Sequence, residues 1–394
     1  MRINKLLLAI PMALSLSYGY AQDNLVNALR DNKSQTTKEA FGFKTVVNAE
    51  ATSVKNQGSS GTCWSYSANS FIESEMKRMG KKPVDIAEMY TVRNMYIDKA
   101  EAYVRMHGAA SYGQGGALHD PIDLMVKYGA LPQEVYSGLM PGQTKNDHSE
   151  IETVLKAIID PIAKSEKPIT TAWKGAVVGV VDSYLGKVPE KFKYEGKEYT
   201  PMTFAKEVIG INAKDYVELT SFISNPYYEQ MIVMVPDNWT YKPSWNIPLD
   251  EMIQTIDNAL NKGYTVAWAT DVSEKSFSWK NGIAFVPTKN YADMTDDEKK
   301  ELFSKPQAEM EITPELRQKA FDTFETTDDH GMQITGIAKD VNGKEYYIVK
   351  NSWGTKNDYE GYLYVTKNFV KYKTTSIMLH KDGIPSAVKK KISL

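Results

Sequence analysis

The chain has 394 residues, of which 42% are hydrophobic, 24% charged and 11% aromatic, and this composition is typical of a globular protein with one large or two modest domains. Lysine and arginine number 47 against 49 aspartates and glutamates, so no overall basic charge is available to bind nucleic acid or anionic lipid. The single cysteine, Cys63, excludes both an intramolecular disulfide and a cysteine-rich zinc site.

Residues 1–21 are typical of a signal peptide. Arg2 and Lys5 supply positive charge, residues 6–16 are apolar, and small residues precede a cleavage point after Ala21. Cleavage would leave Gln22 as the first residue of an exported protein, either periplasmic or secreted. The apolar stretch is short for a bilayer and no later segment reaches about 18 apolar residues, so we expect no stable membrane insertion.

The first third of the remaining chain is predicted to be mainly helical. Residues 22–40 are polar and indicate an exposed N-terminal arm. Within residues 41–150, apolar residues at helical spacing predict three helices. These span Thr62 to Met79, Ile86 to Met106 and Asp123 to Tyr128.

Strand-like patterns dominate the last third. Residues 150–260 mix helical patterns with tyrosine- and proline-rich stretches, whereas residues 261–385 contain alternating or continuous apolar runs. The predicted strands are 264–269, 333–338, 345–349 and 362–365, with a hairpin turn at Asn342-Gly343. Helices followed by strands predict an α+β fold with its site between the two parts.

Cys63 lies at the predicted start of a helix, after the flexible segment Gly58 to Gly61. The unsatisfied N–H groups and the dipole of a helix start are expected to lower the pKa of a thiol. The sequence therefore indicates a nucleophile at Cys63.

Two further residues complete a candidate catalytic site. His330 leads directly into a predicted strand and Asn351 follows the next strand, so antiparallel pairing would bring them together. Cys63 is then expected to attack a carbonyl carbon, His330 to transfer the proton and Asn351 to orient the imidazole. Gln57, together with the backbone N–H of Cys63, is expected to bind the developing oxyanion.

At these residues the chain resembles the papain superfamily, and within it the bleomycin hydrolase and aminopeptidase C branch. The resemblance is carried by the segment Gln57 to Trp64, the paired glycines Gly115-Gly116, Asp329-His330 and Asn351-Ser352-Trp353. It extends over most of the chain, through Asn225-Pro226, Leu249 to Asp271 and Ile384-Pro385.

The resemblance implies a papain-like two-part fold over residues 41–385. A helical part would face an antiparallel, β-barrel-like part across the cleft, and an insertion of roughly a hundred residues, at about 150–260, would be added. It also implies a cysteine peptidase, of the aminopeptidase type found in this branch, that acts on peptides and assembles into a homo-oligomer, with a hexamer as the family expectation.

Four residues are expected to bind substrate on the basis of the resemblance. Gly115 and Gly116 would line the substrate cleft, although a purely structural turn is the alternative, and Trp353 would shield the hydrogen bond between His330 and Asn351. The tail of residues 386–394 would place the Leu394 carboxylate against the free amino group of the substrate. This last assignment is a hypothesis that depends on where the tail lies.

Two other functions remain open from the sequence. The first is a broad-specificity endopeptidase, whose cleft the tail does not block. The second is a non-catalytic peptide-binding protein on the same fold. No cofactor is expected, and the absence of a His-x-x-x-His or HExxH spacing gives no support for a metal.

Overall fold

The computed structural model describes residues 38–394. The predicted signal peptide and almost all of the N-terminal arm lie outside the described residues. The helices are α1 (Lys38–Phe41), α2 (Cys63–Arg78), α3 (Glu88–Arg105), α4 (Asp120–Tyr128), α5 (Ser149–Ala163), α6 (Ala172–Leu185), α7 (Pro201–Phe204), α8 (Leu249–Asn261), α9 (Asp296–Glu301), α10 (Pro314–Asp322), α11 (Lys367–Lys373) and α12 (Ser386–Lys391). The strands are β1 (Lys44–Asn48), β2 (Phe192–Tyr194), β3 (Lys197–Tyr199), β4 (Tyr216–Thr220), β5 (Gln230–Ile232), β6 (Pro243–Asn246), β7 (Val266–Thr270), β8 (Phe277–Ser278), β9 (Ile283–Ala284), β10 (His330–Lys339), β11 (Glu345–Lys350), β12 (Tyr362–Thr366) and β13 (Thr374–His380).

The predicted order of helices first and strands later is confirmed. Each helix predicted between residues 62 and 128 is present, and every strand predicted after residue 261 forms within a few residues of its expected limits. These segments have strong hydrophobic periodicity, which local sequence is sufficient to encode.

The main sheet has 11 strands and is open. Its strand order is β5-β6-β4-β13-β7-β10-β11-β12-β9-β8, with β1 also paired to β10. Within the described residues the two end strands, β5 and β8, do not pair with each other. The expected barrel-like second part is therefore an extended sheet, because β4 to β6 lengthen one edge rather than closing it.

Strand β10 organises the centre of this sheet. Its first half pairs with β7, where His330 lies opposite Thr270, and its second half pairs with β1. On its other side it pairs with β11 in antiparallel register, with Gln333 opposite Lys350. His330 at the start of β10 and the residue after β11 consequently lie at the same end of the sheet.

Helix α2 packs against β10 and β7, and nearly all of its residues are buried. The core of the helical part includes Phe71, Ile72 and Met76 from this helix, whereas α8 packs with the sheet in a second core. The start of α2 therefore meets the start of β10 at the junction of the two parts.

The stretch 150–260, expected as an insertion, contributes to both parts of the fold. Helices α5 and α6 pack against α3 in the helical part. Strands β4 to β6 instead extend the main sheet beyond β13, where Leu219 pairs with Ile377. The stretch is thus integrated into the domain rather than folded as a separate unit.

The end of the chain forms helix α12, which packs near α8. Val388 and Ile392 are buried in the same core as α8, and Lys391 Nζ donates a hydrogen bond to Glu251 Oε1 at 2.6 Å. Leu394 is 49% exposed. Between residues 38 and 394, no helix combines the length and apolar character needed to cross a membrane.

A substitution at Gly336 tests the register of β1 on β10. A Cβ at this position would lie 2.2 Å from the backbone oxygen of Val47. We expect Gly336→Ala to destabilise the protein by about 1–3 kcal/mol through overpacking. Thermal unfolding followed by circular dichroism measures the effect. Gly175→Ala is the matched control, because a Cβ on this helical glycine meets nothing within 4 Å, and we expect a gain of about 0.5–1 kcal/mol. Equal shifts in the two variants would contradict the register.

Candidate active site

The Cys63 thiol lies at the first turn of α2 and is 3% exposed. The loop before it is held by Gln114, whose Oε1 accepts the Gly61 N–H at 2.7 Å. The backbone oxygen of Gln114 accepts the indole N–H of Trp64 at 2.9 Å. Contacts on both sides of Cys63 therefore fix the thiol relative to residues 113–116, the glycine cluster Gly-Gln-Gly-Gly.

His330 and Asn351 are brought together as the strand pairing predicts. His330 Nε2 lies 2.8 Å from Asn351 Oδ1, and both side chains are buried. Asn351 Oδ1 also accepts the backbone N–H of Ser352 at 2.7 Å. Because Oδ1 is only an acceptor, it selects the imidazole form that carries a proton on Nε2. Nδ1 is then the ring nitrogen available for proton exchange.

Trp353 packs against the imidazole. The ring centroids of Trp353 and His330 are 4.6 Å apart, and the indole is itself packed by Phe277 and Trp279. Trp353 is buried. Trp353 is not among the residues that line the pocket described below, and its expected shielding of the hydrogen bond between His330 and Asn351 stays a prediction.

Gln57 joins the cysteine loop to the asparagine segment. Its Nε2 donates to the Ser60 backbone oxygen at 2.6 Å, and its Oε1 accepts from Ser352 Oγ at 2.7 Å. These contacts fix the carboxamide plane and leave one N–H of Nε2 for another acceptor. Gln57 is fully buried and does not line the pocket, so its expected role toward an oxyanion stays a prediction.

Cys63 and His330 line a single pocket at the junction of the two parts. Gly116 and Leu118 form part of the wall on the helical side, and Val233 and Val235 close another side. The structure therefore places a thiol and an imidazole in the wall of the same pocket.

The two paired glycines are not equivalent. Gly116 lines the pocket, as expected, and a Cβ there would lie 2.8 Å from both Trp64 and Asp120. A Cβ at Gly115 would lie 2.0 Å from Asp237 Oδ1. Gly115 thus allows the close approach of the Asp237 side chain. Asp237 partly covers the backbone at Gly115, which was expected to line the substrate cleft.

Leu394 does not reach the pocket. The tail folds as α12 beside α8, and Leu394 is absent from the pocket lining. The tail therefore does not place the terminal carboxylate in this pocket, where the expected contact with a substrate would require it. Burial of Val388 and Ile392 holds the tail in its own position.

The electrostatic surroundings of the thiol differ from those expected. Burial raises the pKa of Cys63 above its usual range, and the carboxylates of Asp237 and Asp328 raise it further. Hydrogen bonds from the backbone N–H groups of Gly331 and Trp64 oppose this rise. The Trp64 N–H at the helix start thus lowers the thiol pKa in the expected direction, but burial and the two acidic neighbours outweigh this contribution.

Four residues near the pocket were not anticipated in any site role. Glu218, Asp237 and Asp328 line the pocket, and His119 Nδ1 lies 2.7 Å from Glu218 Oε2. Asp328 belongs to the segment Asp328-Asp329-His330. Its closeness to His330 in the sequence could therefore have indicated that it lies near the pocket. Asp237 lies in a loop without any recognisable motif.

A second acidic cluster lies under the cysteine loop and surrounds a lysine. Lys55 Nζ is 3.1 Å from Glu73 Oε1, 2.5 Å from Asp85 Oδ1 and 2.5 Å from Glu88 Oε1. Among residues 38–394, these three carboxylates form the group that lies close enough together to hold a metal ion. The Lys55 ammonium pairs with all three carboxylates.

Residues 11–393 match the Peptidase C1-like family. This chain belongs to that family. The enzyme is accordingly a hydrolase of the cysteine peptidase class, and the resemblance to the bleomycin hydrolase and aminopeptidase C branch is confirmed.

Relatives match along most of their length. Aminopeptidase C of Lactobacillus delbrueckii subsp. lactis is 23% identical, with 95% of this chain and 90% of the relative covered. Bleomycin hydrolase of Mus musculus is also 23% identical, with the same shares covered. The crystal structure of PepW from Lactobacillus rhamnosis HN001 superposes with a TM-score of 0.72 at 21% identity, covering 95% of this chain and 91% of that chain, which establishes the papain-like α+β fold.

Because Cys63 is the only cysteine, alkylation with iodoacetamide reports on this thiol alone. We expect wild-type Cys63 to react at neutral pH, since its proton can move to His330. In His330→Asn, the raised thiol pKa keeps the sulfur protonated, so the rate at pH 7 should fall at least about 30-fold and recover as the pH rises. Mass spectrometry across a pH series measures the rates.

The control for this experiment is His107→Asn. His107 is exposed and has a positive φ of 52°, a conformation that asparagine tolerates. Its alkylation profile should match that of the wild type. Identical profiles for His330→Asn and the wild type would contradict ionisation through His330.

Proposed function

We propose that this enzyme is an aminopeptidase that removes residues from the free N-terminus of peptides. The observation that carries the proposal is the pocket shared by the Cys63 thiol and the His330 imidazole, with His330 hydrogen-bonded to Asn351. Family membership supports assigning these three residues to catalysis.

In the first step, the Cys63 proton moves to His330 Nδ1 and the thiolate attacks the carbonyl carbon of the first peptide bond. The resulting imidazolium then donates this proton to the departing amine, and a thioester forms on Cys63. Asn351 holds the ring orientation throughout, because its Oδ1 keeps the Nε2 proton in place. Burial of the thiol makes free ionisation costly, so proton transfer to His330 is central to activation.

In the second step, His330 accepts a proton from water, and the hydroxide attacks the thioester. The amino acid leaves and the Cys63 thiol reforms with the proton from His330. We assign the oxyanion contact to the remaining N–H of Gln57 and the backbone N–H of Cys63. Thiol, imidazole and water account for every atom and proton, so the proposed reaction needs no cofactor.

The preference for a free N-terminus is supported by two observations. Several relatives are named aminopeptidases, including aminopeptidases C, G and W. Val233, Val235 and Asp237 also line one side of the pocket. An endopeptidase must bind peptide on both sides of the scissile bond, so a pocket closed on one side favours an aminopeptidase. An endopeptidase is the alternative that the next experiment separates.

The product test uses one peptide in free and N-acetylated forms, incubated with reduced mature enzyme. We expect stepwise loss of N-terminal residues from the free form and at least about 100-fold slower cleavage of the acetylated form, measured by mass spectrometry. Cys63→Ala is the control and should release no product. Internal cuts in both forms would contradict the aminopeptidase assignment, and no cleavage by wild type would favour a peptide-binding protein.

We also propose that the protein is exported and that residues 1–21 are removed. The support is the charge and apolar pattern of that segment. Intact mass and N-terminal sequencing of protein secreted or released from the periplasm should give Gln22 as the first residue. Replacing Leu6, Leu7 and Leu8 by aspartate should block processing. A mature protein that retains Met1 would contradict export by cleavage.

Assembly into a homo-oligomer, with a hexamer as the family expectation, stays a prediction.

A further inference from the structure

The pocket that holds Cys63 and His330 is strongly acidic. Glu218, Asp237 and Asp328 all line it. Glu218 has a partner of its own, because His119 Nδ1 lies 2.7 Å from its carboxylate. Across residues 38–394, no ion pair includes either Asp237 or Asp328. Two acidic side chains therefore face the reaction centre without a paired cation.

The nearest buried cation does not neutralise them by contact. Lys99 Nζ donates to the backbone oxygen of Gly115 at 2.8 Å and attracts Asp237 and Asp328 only through space. It lies behind the glycine cluster, not in the pocket lining. Its ammonium is thus already used to fix the backbone that supports Asp237.

Asp237 is held in place by its own loop and by the glycines. Its carboxylate accepts a hydrogen bond from the Gly116 N–H, and Gly115 leaves room for the close approach of Oδ1. On the loop side, Asn238 Nδ2 donates to the Val233 oxygen at 3.1 Å, and Trp239 Nε1 donates to Asp120 Oδ2 at 2.8 Å. The carboxylate is consequently positioned before any substrate arrives.

We propose that Asp237, with Asp328 beside it, binds the α-ammonium group of the substrate's N-terminal residue and so determines specificity for free N-termini. This inference rests on the proposed aminopeptidase function. A bound ammonium would lie in the pocket that also holds Cys63, so only the first peptide bond would reach the thiol. An acylated N-terminus would bring no charge and would leave both side chains buried without a cation, which is unfavourable.

The charge balance supports this assignment. Burial raises the pKa of Asp237 to about 6, and burial together with the Asp237 charge raises the pKa of Asp328 well above its usual range. Ionisation of either carboxyl is therefore costly while no cation is bound, and an ammonium in the pocket would favour the ionised form. The terminal carboxylate of Leu394, the other candidate anion, lies at the end of α12 outside this pocket.

The test measures binding without requiring turnover. L-Alaninamide, which has a free ammonium, should protect wild-type Cys63 from iodoacetamide, and N-acetyl-L-alaninamide should not. In Asp237→Asn, which keeps the side-chain shape but removes the charge, the alaninamide concentration that halves the alkylation rate should rise about 100-fold. Asp328→Asn should raise it by a smaller factor.

Two controls accompany these variants. Asp297→Asn removes a carboxylate whose side chain is 91% exposed in α9, outside the pocket, and should leave protection unchanged. Addition of two glycines after Leu394 displaces the terminal carboxylate without disturbing the buried Val388 and Ile392, and should also have no effect.

The outcomes separate this inference from the proposed function. Unchanged protection in Asp237→Asn, equal protection by the two amides in wild type, or loss of protection only in the extended chain would overturn the role of Asp237. Failure of the wild type to trim free peptides would instead overturn the aminopeptidase proposal, even where protection by alaninamide still depended on Asp237.

Discussion

A buried polar contact between α2 and β10 sets the position on which the site depends. Gln333 Oε1 accepts from Ser70 Oγ at 2.6 Å, and Gln333 Nε2 donates to Ser74 Oγ at 2.8 Å. Apolar packing alone permits a helix to slide or rotate on a sheet, whereas buried hydrogen bonds have defined directions and are costly to break. These bonds therefore fix Cys63, at the start of the helix, relative to His330, at the start of the strand.

A lysine extends this contact to the next strand. Lys350 Nζ donates to Ser70 Oγ at 2.6 Å, and burial lowers the pKa of Lys350 to about 8. The adjacent residue in the chain is Asn351, so the same contact that anchors β11 to α2 also holds the asparagine at its distance from His330. Helix, imidazole and carboxamide are thus positioned by one connected group of buried polar side chains.

The pocket combines two opposing electrostatic requirements. Asp237 and Asp328 raise the pKa of the Cys63 thiol, which works against the thiolate, yet they also form a site with the charge that a substrate ammonium needs. Binding of an ammonium would offset their negative charge and so favour the thiolate. On the proposed function, the bound substrate also covers the thiol, so the same binding that offsets this charge excludes other reagents such as iodoacetamide.

The sequence by itself determined the helices and strands with strong periodicity, the α+β class, and the candidate residues Cys63, His330 and Asn351. These inferences depend on local patterns and on strand pairing across the short turn at Asn342-Gly343, where few alternatives exist.

Only the tertiary structure decided the open sheet, the position of the tail and the acidic character of the pocket. Asp237 lies far from Cys63 in sequence, in a loop without a motif, and it lines the same pocket where Gly115 leaves room for its carboxylate. The tail carries apolar Val388 and Ile392, which bury beside α8 rather than directing Leu394 to the cleft. The pKa of the thiol likewise depends on burial and on charges brought together by folding, and no spacing along the chain encodes either quantity.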